Sequence, residues 1–140
     1  MRRAPRSRGA RRAVVALCVA AIVCAGCGSA AAPQAIGGVG SGGITARRSL
    51  SPEPAPVMKP LRLSVTLADA GGQPIVDRAV SFDLSMPAMT MAPNRPQVTA
   101  AGDGVYEATT LLSMAGEWRL TVEIGGSGAP QTIPLTFSAQ

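Results

Sequence analysis

The sequence predicts a small antiparallel β-sandwich of six or seven strands, preceded by a signal peptide and a disordered linker. Three observations lead there. Apolar residues recur at every second position in short runs from residue 61 onward, turn formers separate these runs at roughly ten-residue spacing, and no helical period follows the leader.

The first run is LRLSVTLAD, where Leu61, Leu63, Val65 and Leu67 alternate with Arg62, Ser64, Thr66 and Ala68, the period of a strand with one buried and one wet face. Asp69 to Gln73 are turn formers. After Pro74, Ile75 and Val76, a second alternation sets Val80, Phe82, Leu84 and Met86 against Ala79, Ser81, Asp83 and Ser85. Pro87 ends it, because proline has no N–H to give a central ladder. Pro96 to Ala101 reads as a short strand, Gly102 to Gly104 as a turn, and Val105 to Leu112 as a strand with Tyr106, Ala108 and Leu112 facing in. Trp118, Leu120, Val122 and Ile124 alternate with Arg119, Thr121 and Glu123 in the cleanest strand. After the loop from Gly125 to Pro130, Ile133, Leu135 and Phe137 form the last strand, which Pro134 marks as an edge.

Gly104, Val105 and Tyr106 follow a turn and open a strand, as the tyrosine corner of immunoglobulin-like domains does, with Ala108 where those domains often place a cysteine. The expected architecture is therefore an Ig-like sandwich without the inter-sheet disulfide. Trp118, Tyr106, Phe82 and Phe137 are the only aromatic residues, and their first reading is core packing.

Residues 1–26 form a different regime. Six arginines, from Arg2 to Arg12, lead into the apolar stretch Ala13 to Ala25 and then small residues, the layout of a secretory signal too short to cross a bilayer. The end at Ala25, Gly26 and Cys27 resembles a bacterial lipobox, with Cys24 where leucine is usual. That resemblance implies acylation of Cys27, which would anchor the exported chain to the outer face of the cytoplasmic membrane or to the outer membrane. The other reading is an ordinary signal peptide that leaves Cys27 as a free thiol. Residues 27–60 are dominated by Ala, Gly, Ser and Pro with isolated apolar residues such as Ile36, Val39 and Ile44, and read as a disordered tether. Residues 61–140 remain as the folded domain.

The formal charge of +5 belongs mostly to the leader, since six of the thirteen basic residues lie there. Beyond it the balance is about −1, with the basic residues dispersed, so a nucleic-acid partner has no electrostatic support. Catalysis is the function class that the residue types support least, since an enzyme would need an unusual carboxylate pair and the spacing suggests none. Histidine is absent, Cys18 and Cys24 lie in the leader, Cys27 is the lipidation candidate, and Lys59 is the only lysine, so no general base or activated nucleophile is apparent.

The remaining candidate chemistry is thioether chemistry. Three of the six methionines stand in MPAMTM as Met86, Met89 and Met91. In an extended segment Met89 and Met91 project to the same side, and Met114 joins them if its turn shares an end of the sandwich. Neutral, soft thioethers select Cu(I) over zinc, calcium or magnesium, and the carboxylates show no metal-loop spacing. Met86 is the weaker ligand candidate because its alternation places it inside, and Trp118 is a candidate cation–π wall. The same Met89, Met91 and Met114 also suit a protein partner as an adaptable apolar patch, and methionine is a good irregular filler of a sandwich end.

The order Asp69, Gly72, Pro74, Val80, Phe82, MPAMTM, Gly104, Tyr106, Met114, Gly116, Trp118, Leu120 resembles the YtkA-like domain, a family related to FixH proteins of bacterial envelopes. The similarity covers about Leu61 to Ile124. It implies an Ig-like fold, often lipid-anchored or fused to envelope proteins, with some neighbours associated with copper handling or oxidase assembly. The functional expectation is a lipid-anchored, non-catalytic envelope binding or assembly module. It is held to the membrane through lipid, meets an envelope protein through its methionine-rich loop end, and requires no cofactor. The alternative is a Cu(I)-binding copper-handling protein.

Overall fold

The computed structural model describes residues 37–126 and 128–140. The leader, Cys27 and the first part of the tether lie outside the described residues. Eight strands follow in order: β1 (Gly37–Val39), β2 (Thr45–Ser51), β3 (Pro60–Ala68), β4 (Val80–Ser85), β5 (Val98–Gly102), β6 (Val105–Leu111), β7 (Gly116–Ile124) and β8 (Gln131–Ala139). They form a five-stranded sheet in the order β1-β2-β3-β6-β5 and a three-stranded sheet in the order β4-β7-β8, with every strand pair antiparallel. Leaving out β1, this is the A-B-E-D and C-F-G arrangement of an immunoglobulin constant-type sandwich.

Alternation decides which side chains meet between the sheets. Leu61, Leu63, Val65 and Leu67 of β3, Phe82 and Leu84 of β4, Tyr106 and Ala108 of β6, Trp118, Leu120, Val122 and Ile124 of β7, and Ile133, Leu135 and Phe137 of β8 are all buried in one cluster. The inward positions read from the sequence are the inward positions observed. Pro134 lies on β8, at a sheet edge, where a missing N–H costs no central hydrogen bond.

The domain starts earlier than the composition suggests. Residues 37–60, read as tether, hold β1, β2 and an ordered crossing, so the sandwich has eight strands. β2 pairs with β3 along its whole length, from Thr45 opposite Ala68 to Ser51 opposite Arg62. Its inward face is Ala46, Arg48 and Leu50, an alternation interrupted by a charge, which is why no strand period stands out. The tyrosine-corner reading also needs correction. That motif belongs to the sixth strand of the immunoglobulin order, whereas Tyr106 sits on β6, the equivalent of the fifth, so Ala108 is not at a disulfide position. The Tyr106 hydroxyl instead donates to the carbonyl of Ile75 at 3.0 Å and pins the β3–β4 connection.

Arg48 is the one charged side chain in the described interior, only 3% exposed. Its Nε donates to the Thr136 carbonyl on β8 at 2.9 Å, and its guanidinium lies 5.5 Å from the centre of the Phe137 ring. Glu53 Oε1 stands 3.9 Å from Nη1, which has no hydrogen-bond partner. Burial lowers the Arg48 pKa below its ordinary value, and the nearby Glu53 charge partly offsets that. Arg48 thus joins β2 of one sheet to the edge strand β8 of the other through a charge-assisted hydrogen bond and a cation–π contact.

Two outcomes follow from this packing. A chain trimmed to residues 61–140 exposes the edge of β3 and loses the inward side chains of β2, so its thermal midpoint falls by more than about 10 °C relative to the full chain, read by circular dichroism. Arg48→Ala costs about 2 to 4 kcal/mol in denaturant unfolding through the lost bond and the cavity, whereas Glu53→Gln costs less than about 0.5 kcal/mol because that pair is long and partly exposed.

Candidate functional site

Strands that run alternately up and down send alternate connections to opposite ends. The β2–β3, β4–β5 and β6–β7 connections therefore share one end with the C-terminus, and register confirms it: Pro60 lies opposite Leu111, Ser85 opposite Arg119, and Gly116 opposite Ala139. Every methionine among the described residues lies in these three connections, Met58 in the first, Met86, Met89 and Met91 in the second, and Met114 in the third.

The β4–β5 connection leaves the sheet and returns to it. The Leu84 N–H donates to the Asn94 carbonyl at 2.9 Å, closing the neck of the loop that carries MPAMTM. The Asn94 side chain ties that neck to β6, accepting from Thr110 Oγ1 at 3.2 Å and donating to the Leu111 carbonyl at 3.4 Å. Beyond it, Arg95 forms a hydrogen-bonded ion pair with Asp83, Nη2 to Oδ2 at 2.7 Å. Within the loop, the Met89 N–H donates to the Met86 carbonyl at 3.2 Å, so the first half is a turn and not an extended segment. The three methionines consequently have different surroundings. Met86 is 8% exposed and belongs to the core, Met91 is half-buried against it, and Met89 is 46% exposed.

The β6–β7 connection brings Met114, 38% exposed, to the same end. The Trp118 indole N–H donates to the Met114 carbonyl at 3.0 Å. Trp118 is fully buried, which corrects its reading as a cation–π wall: it anchors the Met114 loop from below and presents no face to a ligand. Gly116 has a φ of +130°, and a Cβ there would stand 3.0 Å from the Met86 methyl, so the loop passes directly over that side chain.

The first connection is the one the sequence reading missed. After β2 the chain crosses between the sheets. Ala55 and Val57 exchange backbone bonds with Gln140, and the Met58 N–H donates to the Leu112 carbonyl at 2.8 Å. This strap places Met58 beside the Met114 loop with 70% of its surface exposed and a φ of +57°. Exposed Leu111 completes the apolar character of this end. The missed signal was the adjacent apolar pair Val57 and Met58 in a segment whose prolines suggested a linker.

Among the described residues no group of three or more His, Cys, Asp or Glu side chains is placed to hold a metal ion. A cleft of about 430 Å³ on the outer face of the five-stranded sheet is lined by Arg62, Gln97, Thr99, Glu107, Ala108 and Thr109. It is a feature of the wet face, with no methionine in its walls.

The sequence profile of YtkA-like domains matches residues 44–123, more than half of the chain. The chain belongs to the YtkA-like family. The matched stretch of this YtkA-like domain opens just before β2, in agreement with the early start of the sandwich, and closes within β7. β8 and its core residues Ile133, Leu135 and Phe137 lie beyond it. The solved structures similar to this YtkA-like chain include the Lin-41 filamin domain, 20% identical over 66% of this chain and 91% of that one, with a TM-score of 0.44. No curated protein matches the chain.

The neck of the methionine loop can be tested directly. Asn94→Ala removes both side-chain bonds to β6, costs about 1 to 2 kcal/mol in unfolding, and speeds amide exchange at Leu84 while leaving exchange in the middle of β7 unchanged.

Proposed function

We propose that this YtkA-like protein is a non-catalytic binding or assembly module of the cell envelope. It is exported by the arginine-led leader, held at the membrane by lipid on Cys27, and engages an envelope protein through Met89, Met91 and Met114. The observation that supports the reading is that four of the six exposed large apolar side chains among the described residues stand at one end of the sandwich, Met58, Met89 and Met114 on three connections and Leu111 at the end of β6. Unbranched thioethers adapt to a partner's shape at small cost, which suits a recognition surface. A domain without histidine and without a cysteine beyond residue 27 supports recognition in preference to acid–base or nucleophilic chemistry.

Two measurements test this. Cys27→Ser in the expressing cell moves the protein from the membrane fraction to the soluble fraction, and unchanged membrane retention would overturn the anchor. Met89→Lys with Met114→Lys abolishes co-purification of the envelope partner at unchanged thermal midpoint, while leucine at the same positions preserves it; a partner retained by the lysine variant would remove this end from the proposal.

A further inference from the structure

Two of the exposed apolar residues at the methionine end stand apart from the MPAMTM loop. Met58 is fixed on the strap by its N–H bond to the Leu112 carbonyl, and Leu111 lies opposite Pro60 where the β3–β6 ladder ends. They are 70% and 56% exposed, the two largest exposures among the apolar side chains of this end. Leu111 belongs to the outer face of the five-stranded sheet, because alternation along β6 turns Tyr106, Ala108 and Thr110 inward. Pro60 beside it is exposed as well. Apolar side chains grouped in this way, with nothing of their own domain over them, mark a contact with something outside it.

The free charges around this edge have one sign. Lys59 is exposed next to Met58, Arg62 follows Pro60 on the outward face of β3, and Arg47 is exposed further along that face on β2. None of the three is paired, since the ion pairs among the described residues join Arg48 to Glu53 and Arg95 to Asp83. The nearby carboxylates are engaged or lie elsewhere: Glu53 is turned to Arg48, Glu107 accepts from Ser64 Oγ at 3.1 Å, and Glu117 is on β7 of the other sheet. Apolar tips with lysine and arginine behind them suit the boundary between headgroups and acyl chains, where the apolar atoms leave water and the cations meet anionic headgroups.

The course of the chain favours the same end. β1 runs antiparallel to β2, with Gly37 opposite Arg47 and Val39 opposite Thr45, and β2 ends with Ser51 opposite Arg62 at the methionine end. The chain therefore enters β1 travelling away from that end. Gly37 follows Cys27 by ten residues, which span at most about 35 Å, and the stretch of β2 from Arg47 to Ser51 is about 13 Å long. A chain anchored at Cys27 reaches β1 directly when the methionine end faces the bilayer, and has to pass Thr45 and reverse when the far end does. We propose that Met58, Leu111, Lys59 and Arg62 form a contact surface for an anionic lipid bilayer, so that the anchored domain stands on the membrane by its methionine end and offers Met89, Met91 and Met114 to a partner in that surface. This rests on the proposed lipid on Cys27, and it adds an orientation and a second membrane contact.

The test uses the chain from residue 27 onward, which retains every described residue, with Cys27→Ser so that no acyl chain contributes. It is mixed with vesicles of phosphatidylethanolamine and phosphatidylglycerol, or of phosphatidylcholine alone. Partition into the anionic vesicles about tenfold above the neutral ones, falling as salt rises, is expected at millimolar lipid. Binding that weak orients an anchored domain and leaves an unanchored one soluble in the cell. Lys59→Gln with Arg62→Gln lowers the partition about tenfold, and Met58→Ser with Leu111→Ser lowers it by a similar factor at unchanged thermal midpoint. Arg78→Gln, a loss of charge at the far end, leaves it unchanged. In the acylated protein, a fluorophore on Ser113→Cys is quenched by lipid carrying a headgroup nitroxide, and one on Gln73→Cys at the far end is not. Equal partition into both kinds of vesicle, full partition in either double variant, or equal quenching at the two positions overturns the proposal. If the vesicles take no protein while Met89→Lys with Met114→Lys still releases the envelope partner, the lipid surface fails and the binding-module reading stands; if the vesicles take the protein and those lysines leave the partner bound, the lipid surface stands and the partner surface fails.

Discussion

The structure depends on one contact, the apolar face of a five-stranded sheet against the apolar face of a three-stranded sheet. No cysteine follows residue 27 and no helix covers either sheet among the described residues, so this single layer holds the sandwich together. Trp118 lies within it, fully buried, and its indole N–H is satisfied by a loop carbonyl instead of water. A layer of this kind stabilises the middle of each strand and leaves two problems at its margins. The sides expose strand edges, and the ends leave backbone groups without ladder partners.

One side is closed by Arg48 and the strap. The arginine reaches across from β2 to the Thr136 carbonyl, and residues 55–58 lace the end of β8 to the carbonyl that follows β6. A charge inside so small a domain is costly to desolvate, and its lowered pKa records that cost. The compensation is geometric, because a guanidinium both donates to a carbonyl and covers an aromatic face.

The two ends are built differently. At the far end polar residues and glycines make the reversals: Asp69 Oδ1 accepts from the N–H groups of Gly71 and Gln73 at 2.8 and 2.9 Å, and Gly102 and Gly104 take positive φ around Asp103. At the near end the connections carry all the described methionines, with Asn94 and Trp118 fixing two of the loops from below. This rim of flexible sulfur on a rigid frame is what the proposed binding role rests on, since such a frame limits the entropy lost when a ligand is held.

Much of this was legible in the sequence. Five of the eight strands, β3, β4, β6, β7 and β8, have an inward face set by alternation, which assigned their buried residues directly. β2 escaped because Arg48 occupies an inward position, and a charge there reads as a break in the pattern. Met58 escaped with it, since its strap carries the prolines of a linker yet is ordered by bonds to Leu112 and Gln140, residues far away in the chain. The extended reading of MPAMTM failed for a similar reason: the bond from Met89 to Met86 and the closure at Asn94 turn the run back on itself.

The sequence by itself determined the class of fold and which face of each main strand is buried, because a two-residue period needs only neighbours along the chain to be read. It also determined that sulfur is the only soft donor available to the folded domain. The tertiary structure alone decided which strands pair, where the domain begins, and that methionines from residue 58 to residue 114 meet at one end. Those outcomes follow from strand order and from single backbone hydrogen bonds between distant residues, which leave no period in the sequence from which they can be inferred.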